Sequence, residues 1–477
     1  MDLRVNAKHI SWRPADIASL VAFGLLVLAL GSVMSYLVSR HGEVGTHGRI
    51  LFGAPSYALF ADNILEHGRY VGDAGEALER MPLYVGLVML AKIVGRDYWS
   101  HVLIALQGAL ALLCGVMLNR AAAYLVRSSW VPAVVTLAYA AHFGLQVEHF
   151  ALRETVLYEF LVVSLFYLAL LRPMTRRNLI LMTLTAALGY YTRPTGVFLV
   201  VPLAVIAAMR PDMTLGARTR AVAVTVGGVV LCAVPWQIYQ SHAKGELTLN
   251  ATQVGGLQIY KGSSEAFENV SPYIDHDLAE AFTDRLRSEL EVRRASAGEP
   301  VSPAAEDQYL RQLATADIRD NYARYLRKTV LRVMAYLSPL ETPLGSADVF
   351  LLPHKIVLND YRGNFVDADA GWLPFLGQLS FFVVLFGLPL GLLGAIRGIG
   401  SGSDCRPVAI ASLGFILANL AVHAAITAET RYRLYLDPIF LIWSAVALAG
   451  IFPPRGGPVA LAADAIPVRR GDRENAD

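Results

Sequence analysis

The chain has 477 residues, of which 55% are hydrophobic and 17% charged, and its formal net charge is +2. This apolar content is too high for a typical water-soluble protein. The small net charge, carried by dispersed basic residues, excludes a nucleic-acid-binding surface. Cys114, Cys232 and Cys405 lie far apart in or beside apolar segments, so neither a disulfide framework nor a metal cluster is expected. The composition indicates a protein that sits among membrane lipids.

Apolar segments of the chain approach or exceed the roughly 20 residues that a helix needs to cross a hydrocarbon core of about 30 Å. The first segment, 17–38, is too long for a signal peptide and has no clear cleavage site, so it is predicted to span the membrane. Lys and Arg mark cytoplasmic loops, and arginine-rich loops follow every second segment. Ten spans satisfy this alternation: 16–38, 100–119, 129–146, 154–171, 178–191, 195–209, 221–240, 372–396, 407–427 and 434–452.

The apolar segment 81–94 is not counted among the spans. It is only about 14 residues long and contains Pro82 and Lys92, which suits a helix lying on the outer membrane surface. Counting it would invert every later loop and place arginine clusters such as Arg172, Arg176 and Arg177 outside. Both termini are therefore predicted to be cytoplasmic.

This topology predicts the domain organisation of an all-α polytopic membrane protein. Helical patterning is expected in 275–295 and 303–337, and a Pro- and Gly-punctuated loop in 339–371. No internal repeat is visible, whereas many transporters have one. The predicted parts are an N-terminal transmembrane module, 1–240, with its first outer loop, 39–99; an extracytoplasmic loop region, 241–371; C-terminal transmembrane helices, 372–452; and a disordered cytoplasmic tail, 453–477.

Ionisable residues gather at the predicted outer ends of the helices, where charge is costly and usually functional. Arg153 and Glu154 open the fourth span, although a carboxylate in a first helical turn is also stabilised by the helix dipole alone. Arg193 ends the fifth span just before Pro194, where the alternative is an arginine that snorkels to the interface. These outer ends are the first candidates for a functional site.

The tenth span opens with Glu429, Arg431, Tyr432 and Arg433, which places two arginines outside, against the usual charge bias. The phosphate of an anionic lipid is a ligand that would explain them. His142, Glu148 and His149 lie close together in sequence, but their spacing matches no known metal-ligand motif. A metal site at these three residues is therefore not predicted.

Six short motifs follow one another along most of the membrane part of the chain. They are Ala54–Tyr70, Pro82-Leu-Tyr84, Arg153-Glu154-Thr-Val-Leu, Thr192-Arg193-Pro194-Thr-Gly196, Gly255-Gly-Leu-Gln-Ile-Tyr260-Lys261-Gly262 and Glu429-Thr-Arg431-Tyr432-Arg433-Leu. In this order they resemble the polyprenyl-phosphate-sugar-dependent glycosyltransferases of the GT-C superfamily, which include the protein O-mannosyltransferase and aminoarabinose transferase groups. Each motif alone is weakly specific, and the resemblance rests on the ordered set.

The resemblance implies a GT-C-like bundle of about ten transmembrane helices with outer-face juxtamembrane helices and a partly helical extracytoplasmic loop region. It implies a multi-pass protein of the bacterial inner (plasma) membrane whose active face is extracytoplasmic. The donor would be a polyprenyl-phosphate-linked sugar, and the acceptor a lipid, a polysaccharide or a protein. The resemblance fixes no cofactor, and a divalent metal ion is left open.

The resemblance also implies roles for individual residues, because a carboxylate must meet the acceptor hydroxyl while arginines hold the departing phosphate. The catalytic candidates are Glu43, Asp62 and Glu154; the donor-phosphate candidates are Arg193, Arg431 and Arg433; and the substrate-cavity candidates are Tyr57, Arg153, Tyr191, Lys261, Glu429 and Tyr432. In the family an aspartate typically stands four residues before the tyrosine that matches Tyr57, and here that position is Gly53. Either Glu43 or Asp62 supplies the carboxylate, or another base does, or the activity is lost.

Two other classes of function stay open at this point. A transporter or flippase of a lipid-linked sugar would spread polar residues through the membrane and usually carry an internal repeat. A catalytically inactive GT-C-like scaffold for envelope assembly would tolerate Gly53. The ionisable residues lie mainly at one face, which favours the enzyme.

Overall fold

The computed structural model describes residues 12–41, 56–72, 80–211, 213–244, 247, 255–264, 303–339, 342–343, 349–351, 356–359, 365–368, 373–401, 405–426 and 432–452. The helices within these residues are α1 Pro14–His41, α2 Ser56–His67, α3 Pro82–Gly95, α4 Trp99–Leu125, α5 Val131–Ala141, α6 Phe143–Glu148, α7 Thr155–Leu171, α8 Arg176–Thr192, α9 Val200–Met209, α10 Leu215–Lys244, α11 Gly255–Ser263, α12 Pro303–Asp320, α13 Tyr322–Leu337, α14 Leu373–Gly400, α15 Arg406–Ala425 and α16 Asp437–Ile451. Short 3-10 turns at Arg96–Tyr98 and Pro194–Leu199 lead into α4 and α9.

Each of the ten predicted spans coincides with a helix or a pair of consecutive helical segments, and the chain is an all-α polytopic membrane protein. Within the part of the chain that the structure describes, five stretches are long and apolar enough to cross a membrane: Pro14–Tyr36, Pro82–Leu125, Leu215–Ala243, Gly377–Gly400 and Arg406–Ala425. Shorter apolar helices complete the bundle, at Val131–Ala141, Thr155–Leu171, Pro194–Met209 and Asp437–Ile451. Their apolar side chains form one buried core that runs through the bundle.

Two predictions about local structure need correction. The third span, predicted as one helix over 129–146, breaks at His142, whose ring nitrogen accepts a hydrogen bond from the backbone N–H of Leu145 and so caps α6. The predicted loop 339–371 contains a four-stranded antiparallel meander, β1 Thr342–Pro343, β2 Val349–Leu351, β3 Ile356–Asn359 and β4 Phe365–Ala368, in the order β1-β2-β3-β4. Val, Ile and Phe, which favour strands, are frequent in β2, β3 and β4.

The helix α3 packs between α2 and α4 and buries Tyr84, Val85, Val88 and Ala91. The turn Arg96–Tyr98 folds α3 back along α4. The two helices lie side by side, since Gln107, on the third turn of α4, donates a hydrogen bond to the Tyr84 hydroxyl at 3.1 Å. The amide of Gln107 also donates to the Ala151 carbonyl oxygen at 2.8 Å, which ties this hairpin to the segment before α7.

Charged residues separate to the two ends of the bundle. At the arginine-rich end, Arg210 donates to the carbonyls of Ala169 and Arg172, and Arg397 donates to the carbonyl of Ala447. The carbonyls that Arg210 contacts lie at the C-terminus of α7, where they have no partner within the helix. The opposite end, which we call the site end, gathers Glu154, Arg193 and Asp437 at the termini of α7, α8 and α16. The helix α7 therefore begins, α8 ends and α16 begins at the site end.

Candidate functional site

Glu154 lies at the centre of the site end, immediately before α7. The Tyr57 hydroxyl on α2 donates a hydrogen bond to Glu154 Oε2 at 2.6 Å. Arg193, immediately after α8, forms an ion pair in which its Nε lies 3.4 Å from Glu154 Oε1. Pro194 ends α8 at this point because it cannot continue the helix. Three chain segments that are distant in sequence thus meet at one carboxylate, with one partner on each oxygen.

The guanidinium of Arg193 is enclosed by aromatic rings. Its Cζ lies 5.8 Å from the ring centre of Tyr158, 5.4 Å from that of Tyr432 and 4.9 Å from that of Tyr435. Cations over aromatic faces are attracted by the ring quadrupole, and more strongly where water is excluded. The ring of His423 stacks on Tyr432 with centroids 4.6 Å apart and so fixes one wall of this cage.

The charges of this cluster are set by burial and by the ion pair. Burial alone raises the pKa of Glu154, but the Arg193 guanidinium and then the Tyr57 hydrogen bond outweigh it and hold that pKa below its ordinary value. Burial, and then the negative charge of Glu154, raise the pKa of the Tyr57 hydroxyl well above its ordinary value. At neutral pH Glu154 is therefore an anion, Arg193 a cation and Tyr57 a neutral donor.

A second arginine, which the sequence reasoning missed, reaches the same cluster from the other side. Arg80 Nε donates to the Ser56 hydroxyl at 2.9 Å, and its Cζ lies 5.1 Å from the ring centre of Tyr57. Tyr84 packs edge-on against Tyr57 with ring centroids 4.8 Å apart. Arg80 directly precedes Met81 and Pro82 at the start of α3, which was its only signal in the sequence.

Arg153 adjoins Glu154 in sequence but pairs with a different carboxylate. Its NH1 lies 3.1 Å from Glu148 Oε1, and the Thr155 hydroxyl donates to the same oxygen at 3.3 Å. Both Arg153 and Glu148 are buried. The site end therefore contains two neighbouring ion pairs, Glu148–Arg153 and Glu154–Arg193.

Asp62 lies outside this cluster. It is five residues beyond Tyr57 on α2, so the two side chains point about 140° apart around the helix axis. Asp62 instead forms an ion pair with Lys92 of α3 at 2.7 Å, and Lys92 also lies 4.3 Å from the ring centre of Trp99. The structure thus brings Tyr57, and not Asp62, to Glu154.

Arg433 has a different set of contacts from Arg193. Its side chain is 1% exposed, its Nε donates to Asp437 at 3.0 Å, and its NH1 donates to the carbonyls of Tyr336 and Ser338. The same Asp437 pairs with His142 Nε2 at 2.8 Å. Arg433 therefore joins the start of α16 to the end of α13.

The remaining sequence candidates fall in other places. Tyr191 donates from its hydroxyl to the Cys232 carbonyl at 2.6 Å and so ties α8 to α10. Tyr432 forms part of the aromatic cage around Arg193. Lys261 lies in α11, where the structure describes only the course of its backbone. Three candidates lie outside the described residues, and so does Gly53: Glu43, Glu429 and Arg431.

Among the described residues, no group of three or more His, Cys, Asp or Glu side chains is arranged to hold a metal ion. His142, Glu148 and His149 have separate partners: His142 pairs with Asp437, Glu148 with Arg153, and His149 Nε2 lies 2.5 Å from Glu159 Oε2.

The sequence matches no known protein-family profile and no curated protein. Among solved structures, the chain is similar to the archaeal oligosaccharyltransferase AglB from Archaeoglobus fulgidus in complex with an inhibitory peptide and a dolichol-phosphate, with 15% identity and a TM-score of 0.50 over 94% of this chain and 53% of that one. The apo form of the Archaeoglobus fulgidus oligosaccharyltransferase gives 15% identity and a TM-score of 0.50 over 92% and 50%. ArnT from Cupriavidus metallidurans in the apo state gives 14% identity and a TM-score of 0.37 over 90% and 78%.

The two similarities to the archaeal oligosaccharyltransferase establish the fold of the chain. The likeness to AglB covers nearly all of this chain, which shares the membrane fold of that oligosaccharyltransferase. The chain spans about half the length of the archaeal oligosaccharyltransferase that it matches. Because a shared fold does not by itself fix a reaction, the activity has to be argued from the site.

Proposed function

We propose that this protein is a membrane glycosyltransferase that moves a sugar from a polyprenyl-phosphate donor to a lipid, glycan or protein acceptor at the site end. The observation that carries the proposal is the buried Glu154–Arg193 ion pair, with Tyr57 on the second carboxylate oxygen. Buried charge at a membrane protein's helix ends is functional more often than structural. The fold agrees, since AglB has it and that enzyme is known in complex with a dolichol-phosphate.

In this proposal Arg193 binds the donor phosphate. A guanidinium can share two parallel hydrogen bonds with a phosphate, and its charge stabilises the negative charge that the phosphate gains as it leaves the sugar. The aromatic cage excludes water from Arg193, which strengthens both effects. The arginine is already held in place by Glu154, so little reorganisation is needed when the donor enters.

Glu154 is proposed to orient the acceptor hydroxyl. Its pKa lies below the ordinary value, whereas an efficient general base has a pKa near the working pH. A carboxylate that stays ionised accepts hydrogen bonds well but removes protons poorly. The base is therefore assigned to Glu43 or Asp62, as in the hypothesis drawn from the motifs, and Asp62 would first have to leave Lys92.

The other candidates complete the proposed site. Tyr57 contacts Glu154 and Tyr432 contacts Arg193, so both are proposed to face the substrates. Arg153, Arg431, Glu429 and Lys261 are also proposed to contact the substrates. Arg433 is proposed to position α13, because its guanidinium is occupied by Asp437 and two carbonyls. Tyr191 would act through the packing of α8 on α10.

The proposed location is a bacterial inner membrane with the site end outside. The positive-inside rule places the arginine-rich end in the cytoplasm, together with both chain termini. In this orientation the region 241–371 lies over the site end and selects the acceptor. A polyprenyl-phosphate in the outer leaflet would then reach Arg193 without leaving the membrane.

The experiment is a transfer assay in proteoliposomes with a radiolabelled polyprenyl-phosphate sugar. Arg193→Ala and Glu154→Gln should each reduce transfer by about 100-fold or more, because removing one preorganised group that stabilises transition-state charge costs about 10²–10³ in rate. The matched control is Arg177→Ala, an exposed arginine at the opposite end of α8, which should keep wild-type transfer.

Transfer that is unchanged in both site variants would refute this site. Movement of the labelled lipid across the membrane without a new glycosidic bond would indicate a flippase. Wild-type protein that binds the donor but never turns over would indicate an inactive scaffold, the outcome that Gly53 keeps open.

A further inference from the structure

Two consecutive helices near the site end expose opposite kinds of surface. The first, α12, has the pattern of a helix in water: its buried positions include Leu310 and Ala314. From Asp307 onward, its exposed positions are all polar: Gln308, Gln312, Thr315 and Arg319 recur every three or four residues, and Asp320 follows at the end of the helix. The exposed face of α12 therefore suits an aqueous environment.

The second helix, α13, has the reverse pattern. Its exposed residues form an apolar stripe, and each is between 37% and 65% exposed: Tyr322, Leu326, Val330, Met334 and Leu337. These positions recur every three or four residues, so they form one continuous apolar face about 22 Å long. The opposite face carries Lys328, Arg332 and Tyr336, each 1–2% exposed.

The inward orientation of the cationic face is fixed by specific hydrogen bonds. Lys328 Nζ donates to the Ser264 carbonyl at 2.6 Å, and Arg332 donates to the carbonyls of Ala424 at 2.9 Å and of Gly262. These acceptors belong to the last turns of α15 and α11, where carbonyls lack a partner in their own helix. Rotating α13 to bury its apolar stripe would leave both cations and these carbonyls without their partners.

These contacts also fix where α13 lies. Ala424 is in the last turn of α15, one of the stretches that are long and apolar enough to span the membrane. The Tyr325 hydroxyl adds a hydrogen bond to the Ala425 carbonyl at 2.9 Å. Since α13 is attached across the end of a span, its apolar stripe lies at the depth where hydrocarbon gives way to lipid headgroups.

We propose that α13 is an interfacial helix whose stripe Tyr322–Leu337 is embedded in the membrane leaflet at the site end, so that the boundary between lipid and water runs between α13 and α12. Lipid is favoured over a protein partner because Arg332 attaches α13 to the end of α15, a stretch long and apolar enough to span the membrane, and the polar face of α12 offers no apolar extension for a protein interface. Arg327 is exposed at the edge of the stripe, where it complements anionic headgroups.

The helix α13 is connected to the aromatic cage around Arg193. The Tyr336 hydroxyl donates to the Tyr432 carbonyl at 3.0 Å, and Tyr432 covers Arg193. Embedding α13 therefore fixes the height of the aromatic cage relative to the lipid headgroups. The inference holds whether or not this protein transfers a sugar, and its test is independent of activity.

The test uses nitroxide labels on single cysteines at Leu326, Val330 and Met334, with Cys114, Cys232 and Cys405 replaced by alanine. Power saturation is measured in nanodiscs that contain phosphatidylglycerol, with oxygen as the lipid-soluble relaxant and a nickel chelate as the water-soluble one. All three label sites are exposed side chains, so each label should leave the packing intact and gives an independent reading.

Two labels in the same protein serve as references: Leu231, which is 72% exposed in the span Leu215–Ala243, and Asp320, which is exposed at the end of α12. The labels on α13 should resemble the label at 231: they should be accessible to oxygen and at least fivefold less accessible to nickel than the label at 320. Nickel accessibility equal to that at 320 would place α13 in water. Low accessibility to both relaxants would mean that a second copy or residues 265–302 of the chain cover the stripe, and either result would overturn the proposal.

Discussion

The Glu154–Arg193 pair gives a prediction in which stability and activity separate. Removing one member of a buried ion pair leaves an uncompensated charge and costs about 3–5 kcal/mol of folding free energy. Here the side chains of Arg193 and Glu154 are 11% and 17% exposed, so Arg193→Met should cost about 3 kcal/mol, near the lower limit. Glu154→Gln should cost about 2 kcal/mol, because Gln still accepts the Tyr57 hydrogen bond and the aromatic cage still holds Arg193.

In the double variant, Arg193→Met with Glu154→Gln, neither member of the ion pair carries a charge. This variant loses the cation–π contacts and the ion pair but leaves nothing uncompensated, so it should cost about 2 kcal/mol in total rather than the sum of about 5. The measurement is the free energy of unfolding of all four proteins in mixed micelles by SDS titration. A coupling of about 3 kcal/mol between the two sites is the expected result.

Activity should not follow stability in the double variant. If Arg193 binds the donor phosphate, the refolded double variant still lacks that cation and should transfer at least 100-fold more slowly than wild type. Recovery of transfer together with stability would mean that the pair is structural only. Additive losses of stability, with no coupling, would mean that the ion pair does not contribute as its geometry indicates.

Three further predictions concern charge at other positions and pH. The pKa of Glu154 is lowered in the folded protein, so its ionised form stabilises the fold. This stabilisation is complete above the unfolded pKa of about 4.3 and is lost as the pH falls through the folded pKa. Wild type should therefore lose stability in that acidic range more steeply than Glu154→Gln, as measured by thermal unfolding against pH. Asp437→Asn should destabilise by about 3 kcal/mol in the SDS titration, because it leaves the buried Arg433 without its carboxylate. Asp62→Asn should cost under about 1 kcal/mol, since Asp62 is 43% exposed beside Lys92; a large loss of transfer in this variant without a loss of stability would identify Asp62 as the base.

Much of the architecture follows from the sequence, because the preference of each segment for lipid or water depends only on its own residues. Apolar runs of sufficient length must be helical in lipid, since no water is present to satisfy an exposed backbone. The loop arginines then give the helices alternating directions, and the structure gathers Arg210 and Arg397 at one end and Glu154 and Arg193 at the other. The motif order also indicated the fold that the comparison with AglB establishes.

Which side chains meet at the site end could not be predicted in the same way. Arg153 adjoins Glu154 in sequence, yet Glu154 pairs with Arg193, because the choice depends on which way each side chain leaves its helix end. Asp62 was a candidate by its distance along the chain, and the turn of α2 directs it to Lys92 instead. The position of Arg80 just before α3 was its only signal in the sequence, and that position could not predict its contact with Tyr57, because the contact depends on how α3 packs against α2.

The helix α13 shows most clearly the difference between what the sequence determines and what only the tertiary structure decides. Its residues alone determine an amphipathic helix with cations on one face and an apolar stripe on the other, and such a pattern usually predicts that the apolar face is buried. Only the tertiary structure decides that Lys328 and Arg332 point inward, because the unpaired carbonyls at the ends of α11 and α15 are nowhere near them in sequence. The amphipathic pattern is local, whereas the solvent on each side of the helix is set by what the rest of the chain places there.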